Sequence, residues 1–459
     1  EVAMAMVTRS LSGTVLSTQS HPKPASPSTW ATSSIPPAAS TKREGASSTT
    51  PATPTSATKG QKGAAVQSST GATTATTLPS SPPSKSEEAF RQVHALEEQV
   101  KTDGACTLPG VSIAYDLFMP IMMRALTRGY VEQEQADFVA NGLRYGFDLG
   151  VDVSKLRGRR LFRNYPTAVE ARAAVSKATR ARVEQGKTLQ LFPFRAEDRA
   201  VLDRWPSWRI FPMGAVPKPM EPGAMRPFSD HTKTGMKDAT DLELFRHTLT
   251  ALEDIARFLK HMFYMRVSDV DSAFPLLPIA PRLWRFMMFI WFDVQAGNEA
   301  GMLTWLYLHV CGDFGSAGLP GTWKIFFTDV VMGMARSEMV LTLEAPIYVD
   351  DISLIGELQR MVDREGEALT AFLRMLGIYI KEIKDRAAAQ VQLALGFWWD
   401  SINRTRTLSE RKQQAYVAML REFETRRTLS LRERQQIAGR MQRAVMTMPP
   451  GAACFMATM

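Results

Sequence analysis

The sequence predicts an α+β protein whose core is an antiparallel sheet backed by helices, with a disordered segment before it and a helical tail after it. Three observations predict this. Between residues 208 and 400, short apolar runs of strand length alternate with longer stretches of helical spacing. Within that region Tyr348-Val349-Asp350-Asp351 lies between two apolar runs and reads as the tight turn of a β-hairpin with buried strands. Residues 1 to 86 are mostly Ser, Thr, Ala and Pro with almost no aromatics, a composition that buries too little apolar surface to offset chain entropy.

Taken in order, residues 1 to 86 form a linker, and order begins near Ser86. A basic helical extension follows over 87 to 190. Residues 87 to 101 and 132 to 145 have helical spacing, and 166 to 184 reads as one helix with Pro166 near its start and Gly186 just past its end. Around it cluster Lys155, Arg157, Arg159, Arg160, Arg163, Arg172, Lys177, Arg180, Arg182 and Lys187, readable either as a solvated basic face or as a phosphate-tracking surface. Residues 191 to 400 carry the sheet. A helix over 246 to 262 precedes a strand over 264 to 270; strands follow at 286 to 292 and 303 to 310, then a helix at 321 to 336 and the acidic hairpin at 339 to 356. Leu358, Met361, Val362, Leu369, Phe372, Leu373 and Leu376 then repeat at helical spacing up to Gly377. Residues 401 to 459 form a basic helical tail: Ser409 is placed to cap one helix, and Ser430 with Glu433 forms a capping box for a second.

Composition limits the function classes. At 459 residues, 45% of them hydrophobic, the chain can bury a sizeable core and exceeds one average domain. A net charge of +9 favours a polyanionic partner, although a basic surface also serves solubility alone. Cys106, Cys311 and Cys454 are too few and too scattered for a disulfide framework or a zinc cluster, which points to free thiols in a reducing compartment, cytoplasmic or nuclear. No run reaches the length of a membrane span, so no membrane partner is expected. The chain opens at Glu1 without a charged and then apolar leader, the pattern of a fragment or processed product without a signal peptide.

The chemistry sits on two acidic strand ends. An Asp pair in a turn can serve turn geometry and solvation alone. A second acidic strand end, Val267-Ser268-Asp269-Val270-Asp271, lies upstream, where an apolar strand runs into Asp. If the two strands are neighbours, Asp269, Asp350 and Asp351 converge and can hold two Mg²⁺ ions, which prefer hard oxygen ligands and support phosphoryl transfer.

These residues resemble a family. Asp269 with Ala273-Phe274 and Pro278-Ile279, Phe314-Gly315 with Pro320, Tyr348-Val349-Asp350-Asp351, Gly377 with Lys384, and Leu395-Gly396-Phe397 are similar to motifs A to E of reverse transcriptases, in the same order. Val216-Pro217-Lys218 and Arg226-Pro227-Phe228-Ser229-Asp230 resemble the fingers segment that meets the incoming nucleotide. Leu429 to Glu433 and Pro449-Pro450-Gly451 resemble the thumb and the segment after it in DIRS-like or Ty3-like retrotransposon enzymes. The resemblance covers about residues 140 to 459. It departs from the family's pattern at Gly312-Asp313, where Pro usually precedes Phe-Gly, and at Ser316-Ala317-Gly318-Leu319.

The resemblance implies a right-hand polymerase with fingers, palm and thumb. It would extend a primer 3′-hydroxyl on an RNA or DNA template with dNTPs, using two Mg²⁺ or, alternatively, Mn²⁺. Asp269, Asp350 and Asp351 would be the catalytic acids, with the Val270 carbonyl as a further metal ligand. Lys218 and Arg226 would grip the triphosphate, and Lys384 would act as general acid for the leaving pyrophosphate. Asp271, Ser272, Ala273, Phe274, Phe314 and Gly315 would complete the dNTP site, Phe274 excluding a 2′-hydroxyl. Phe274 as an ordinary core aromatic and Lys384 as a solvated surface lysine remain open at this point. So do two other functions: a decayed or domesticated retroelement protein that binds nucleic acid without catalysis, and an RNA-dependent RNA polymerase.

Overall fold

The structure is a computed structural model and describes residues 14–15, 84–218, 223–245, 252–294, 303–426 and 428–447. Its strands are β1 (Thr14–Val15), β2 (Arg159–Leu161), β3 (Thr188–Pro193), β4 (Trp208–Ile210), β5 (Met213–Pro217), β6 (Met225–Ser229), β7 (Tyr264–Asp269), β8 (Met288–Phe292), β9 (Thr304–His309), β10 (Ile347–Tyr348), β11 (Asp351–Gly356), β12 (Arg386–Ala389), β13 (Val391–Ala394), β14 (Phe397–Asp400) and β15 (Thr405–Leu408). They form four sheets, ordered β10-β11-β7-β12, β2-β4-β8-β9-β3, β5-β6 and β1-β15-β14-β13. The protein is a mixture of helix and sheet.

The sheet β10-β11-β7-β12 is antiparallel throughout, and its register sets the rest. Because side chains alternate across a strand, pairing Leu354 with Arg266 and Ile352 with Ser268 sends those residues to one face, while Ile355, Met265 and Val267 go to the other. The first face is covered by the helix Gln359–Met375, whose Val362, Leu369, Phe372 and Leu373 join the main core. Gly366 in that helix leaves the space that Arg266 fills; a Cβ there would lie 2.4 Å from Arg266 Cδ. Arg266 is thereby buried between Asp385 (2.7 Å) and Asp363 (3.3 Å). The second face meets Phe397, Trp399 and Leu408, and beyond them Tyr416, Met419 and Met441 of the tail helices Glu410–Glu424 and Leu431–Val445.

The five-stranded sheet pairs β8 with β9 as an antiparallel hairpin, adds β3 beside β9, and ends in parallel β4 and β2. The strand β3 spans the boundary read at residue 190. The helix Arg172–Glu184 and the hairpin β5-β6 pack over this sheet around Phe211, Phe289 and Trp291.

Several expectations are altered. The helix read over 166 to 184 is two, Pro166–Glu170 and Arg172–Glu184, broken at Ala171 (φ −92°, ψ 28°). The break lets the first piece pack on β5 and the second on β6. The helix Tyr115–Thr127 was not foreseen, and it contains Pro120, which removes one backbone donor from its ladder. The helix read at 321 to 336 begins as Leu319–Trp323 and ends as Met332–Ser337, with a π-helical stretch, Lys324–Val331, between them. Lys324 and Asp329, five residues apart, form an ion pair of 2.8 Å that suits this wider turn. Of the helix read over 246 to 262, residues 252 to 262 are described, and the helix there is Leu252–Phe258; it stops short of the expected end, before a turn in which Met262 is left-handed (φ 64°).

Ser409 occupies its cap position, but its hydroxyl is turned inward and makes no capping bond, whereas Ser430 and Glu433 form the full capping box. Of the segment read as disordered, Thr14–Val15 pairs with β15, and the first helix, Lys85–Asp103, starts at its end; the remainder lies outside the described residues, as do Arg427, Pro449-Pro450-Gly451 and Cys454. No helix among the described residues is long and apolar enough to cross a membrane.

Candidate active site

The acidic turn is a two-residue hairpin loop: β10 and β11 pair Tyr348 with Asp351, leaving Val349 and Asp350 at the tip. Val349 sits at φ 58°, a left-handed conformation that a β-branched residue rarely adopts. It is held there from outside, since Trp323 donates its indole N–H to the Val349 carbonyl at 2.7 Å. On the partner strand, the Val270 N–H donates to the Asp350 carbonyl at 2.9 Å. Pairing of β11 with β7 sets Asp351 directly opposite Asp269, on the sheet face away from the helix Gln359–Met375.

Asp269, Asp350 and Asp351 therefore converge, each offering a carboxylate oxygen within 4.8 Å of the others. Asp269 is buried, its side chain 3% exposed. Burial and the neighbouring Asp269 push the Asp350 carboxyl up; burial, then Asp350 and Asp269, push Asp351 up to about 7. Three close oxygen donors whose own repulsion opposes ionisation fit a hard divalent cation such as Mg²⁺ or Mn²⁺, which supplies the missing positive charge.

Two lysines face the same group. Lys381 and Lys384 each bind one oxygen of Asp269, and Lys381 also reaches the Val270 carbonyl at 3.4 Å. Burial works against the charge on Lys384, but the hydrogen bond and charge of Asp269 outweigh it and raise its pKa. The turn that carries both lysines is anchored from below. Asp385 accepts from Arg266 Nη2 at 2.7 Å and from the Ser268 hydroxyl at 2.7 Å. Lys381 was missed in the sequence; its signal is the three-residue spacing to Lys384, which puts both ammonium groups on one side of a single turn.

The acids open into a cleft of about 580 Å³, bounded by the helix Arg172–Glu184, the hairpin β5-β6 and the ends of β7 and β11. Arg226, Ser272 and Phe314 line it along with Lys381, Lys384 and the three acids. The other residues expected around a nucleotide do not line it. Lys218 lies just past β5, its N–H bonded to the Ala224 carbonyl at 2.8 Å. Val270 and Ala273 are buried, and Asp271 is exposed. Phe274 is half-buried and meets Phe314 edge to face, with ring centroids 5.3 Å apart. Gly315 lies at φ 115°, and a Cβ there would sit 2.1 Å from the Ser229 carbonyl oxygen, so the loop packs directly on β6.

The basic cluster near the cleft fits neither reading offered for it as a whole. Arg172 lies over the Phe292 ring at 3.7 Å, Arg180 donates to the Val294 carbonyl at 2.7 Å, and Lys187 is buried. Arg157, Arg159, Arg160, Arg163 and Lys177 remain exposed. In the tail, Arg421, Arg432, Arg434 and Arg440 are exposed, while Arg443 turns inward over Phe397.

No family model and no curated protein matches the chain. Among solved structures it is similar to a foamy viral protease-reverse transcriptase in complex with double-stranded DNA, with a TM-score of 0.46 at 15% identity, over 71% of this chain and 52% of that one. The chain thus spans about half the length of that structure.

Proposed function

We propose that the chain is an RNA-directed DNA polymerase of a DIRS-like or Ty3-like retroelement, adding dNTPs to a primer 3′-hydroxyl by two-metal phosphoryl transfer. The observation that carries this reading is the cross-strand pairing of Asp269 with Asp351, beside Asp350, at the mouth of a cleft that also holds Arg226 and Lys384. In this reading, residues 191 to 400 are fingers and palm, residues 401 to 459 are thumb, and residues 87 to 190 are a basic extension.

Asp269, Asp350 and Asp351 with the Val270 carbonyl would hold the two cations, which would supply positive charge to the oxygens of the phosphoryl transfer. Arg226 clamps the triphosphate as a bidentate fork and Lys218 as a point charge. Lys384 gives a proton to the leaving pyrophosphate, having a raised pKa that keeps it charged beforehand. Phe274, backed by Phe314, closes the space that a 2′-hydroxyl needs, while Ala273 leaves room beside the 3′-hydroxyl. The exposed arginines of the tail follow the duplex backbone by charge, which makes binding strongly salt-dependent.

Primer extension on poly(rA)/oligo(dT) with Mg²⁺ tests the reading. Extension by the wild type that is lost in Asp350→Asn supports it, and activity that survives the substitution refutes the role of that acid. Preferential use of ribonucleotides would indicate an RNA polymerase. Binding of primer, template and nucleotide without extension would indicate a protein that has kept the site and lost the reaction.

A further inference from the structure

Asp313 stands where the resembled family usually carries Pro, one residue before Phe314. It is 8% exposed and lines the cleft. Its carboxylate is met from three separate elements. Arg182, from the helix Arg172–Glu184, approaches one oxygen at 3.2 Å. His309, at the end of β9, faces the other at 3.3 Å, and the Ser229 hydroxyl, at the end of β6, donates to that same oxygen.

The contacts close into a ring. Arg182 also donates to the Gly312 carbonyl at 3.0 Å and to the Thr188 hydroxyl at 3.2 Å, and that hydroxyl is bonded to His309 Nδ1 at 2.7 Å. Burial pushes the His309 imidazole below its usual range. Burial works against the Asp313 charge, but His309 and Arg182 outweigh it and keep the carboxyl ionised. The cluster is built around one largely buried Arg–Asp pair. Such a pair is costly to desolvate and is weak evidence for stability by itself. What it does here is geometric. It ties residues 312 and 313 to a helix, to β9 and to β6, and the Ser229 N–H then reaches the Phe314 carbonyl at 3.4 Å.

We propose that Asp313 is a positioning residue that clamps Phe314–Gly315 against β6 and thereby fixes the cleft wall on which Phe274 rests. The proposal deepens the polymerase reading and rests on it for its kinetic consequences. A Pro in this place restricts the loop by its own ring; Asp313 restricts it by tethers to three other elements, so its effect on the nucleotide passes through Phe314 and Phe274 rather than through contact.

The test uses the full chain with Asp313→Asn, which keeps shape and deletes the charge, and Ser229→Ala, which removes one contact and leaves the Arg182 pair. Circular dichroism verifies that both fold. Amide exchange in residues 312–316 is expected to accelerate about tenfold or more in Asp313→Asn, and less in Ser229→Ala, as loss of charge-assisted hydrogen bonds implies. Exchange in β11 should stay unchanged. In primer extension, KM for dNTP should rise about tenfold with kcat little altered, and selectivity for dNTP over rNTP should fall. Unchanged exchange at 312–316 in the folded variants overturns the proposal whatever the activity, as does a loss confined to kcat. A wild type that extends no primer counts against the polymerase reading instead, and exchange then decides whether Asp313 holds the loop.

Discussion

Replacing Asp351 by Asn removes one negative charge from a place where three carboxylates crowd within 4.8 Å of one another. In the folded protein Asp351 is pushed up to about 7, by burial first and then by Asp350 and Asp269. In the unfolded chain it titrates at about 3.9. The folded state therefore binds more protons than the unfolded state between these values. Stability falls as pH rises through that window, and the full penalty is present above it. A gap of about 3 units at 1.36 kcal/mol each gives roughly 4 kcal/mol as an upper figure. Because the titration is coupled to Asp350, whose repulsion follows burial as a cause, the release on deleting one charge is taken as about half of that figure, roughly 2 kcal/mol. The amide that replaces the carboxylate keeps its shape and can donate to Asp269 as a protonated carboxyl does.

The expected result, with EDTA present, is a variant more stable than wild type at pH 8 by roughly 2 kcal/mol, or a Tm higher by about 2 °C for a chain of this size. The gain should vanish near pH 4, where the wild-type carboxyl is protonated in the folded state. The same variant should lose primer extension and most of the Tm rise that Mn²⁺ gives the wild type. Thermal and urea unfolding at the two pH values provide the assay. A variant that is less stable than wild type at pH 8 in EDTA, or equally favoured at both pH values, refutes the reasoning, because either result means that burial and mutual repulsion do not strain this cluster.

Other substitutions probe the supports of the site. Gly315→Ala places a methyl 2.1 Å from the Ser229 carbonyl at φ 115°, and should cost at least about 2 kcal/mol in urea unfolding; an unaffected midpoint would contradict the packing described. Arg266→Met strands Asp385 and Asp363 beneath the acids and should cost about 3 kcal/mol, with partial recovery when Asp385→Asn is added. Phe274→Val should lower the preference for dNTP over rNTP by roughly tenfold or more in competitive incorporation; unchanged selectivity would return Phe274 to the role of a core aromatic.

What could be read from the chain followed from local rules. The turn at Tyr348–Asp351 was legible because apolar runs on both sides demand strands, and two carboxylates between them demand a tip. The helix Gln359–Met375 was legible from its spacing and from Gly377, which lies at φ 81°. The capping box at Ser430 and Glu433 is local chemistry and was read correctly, whereas Ser409, of the same type at the same position, turned inward because its surroundings, not its neighbours in sequence, decide where the hydroxyl goes. The inward arginines failed for a like reason. A run of positive charge reads as solvated surface until it is known that Phe292 lies under Arg172, or that Asp313 waits for Arg182.

By itself the sequence determined which carboxylates stand at strand ends and which strands carry them, since alternation and turn chemistry act within a few residues. Only the tertiary structure decided that Asp351 stands opposite Asp269, that Lys381 joins Lys384 on the same carboxylate, and that Asp313 gathers Arg182, His309 and Ser229. Those pairings join segments far apart in the chain. Their energies come from burial, which strengthens each charge's dependence on its partner, and no local pattern encodes it.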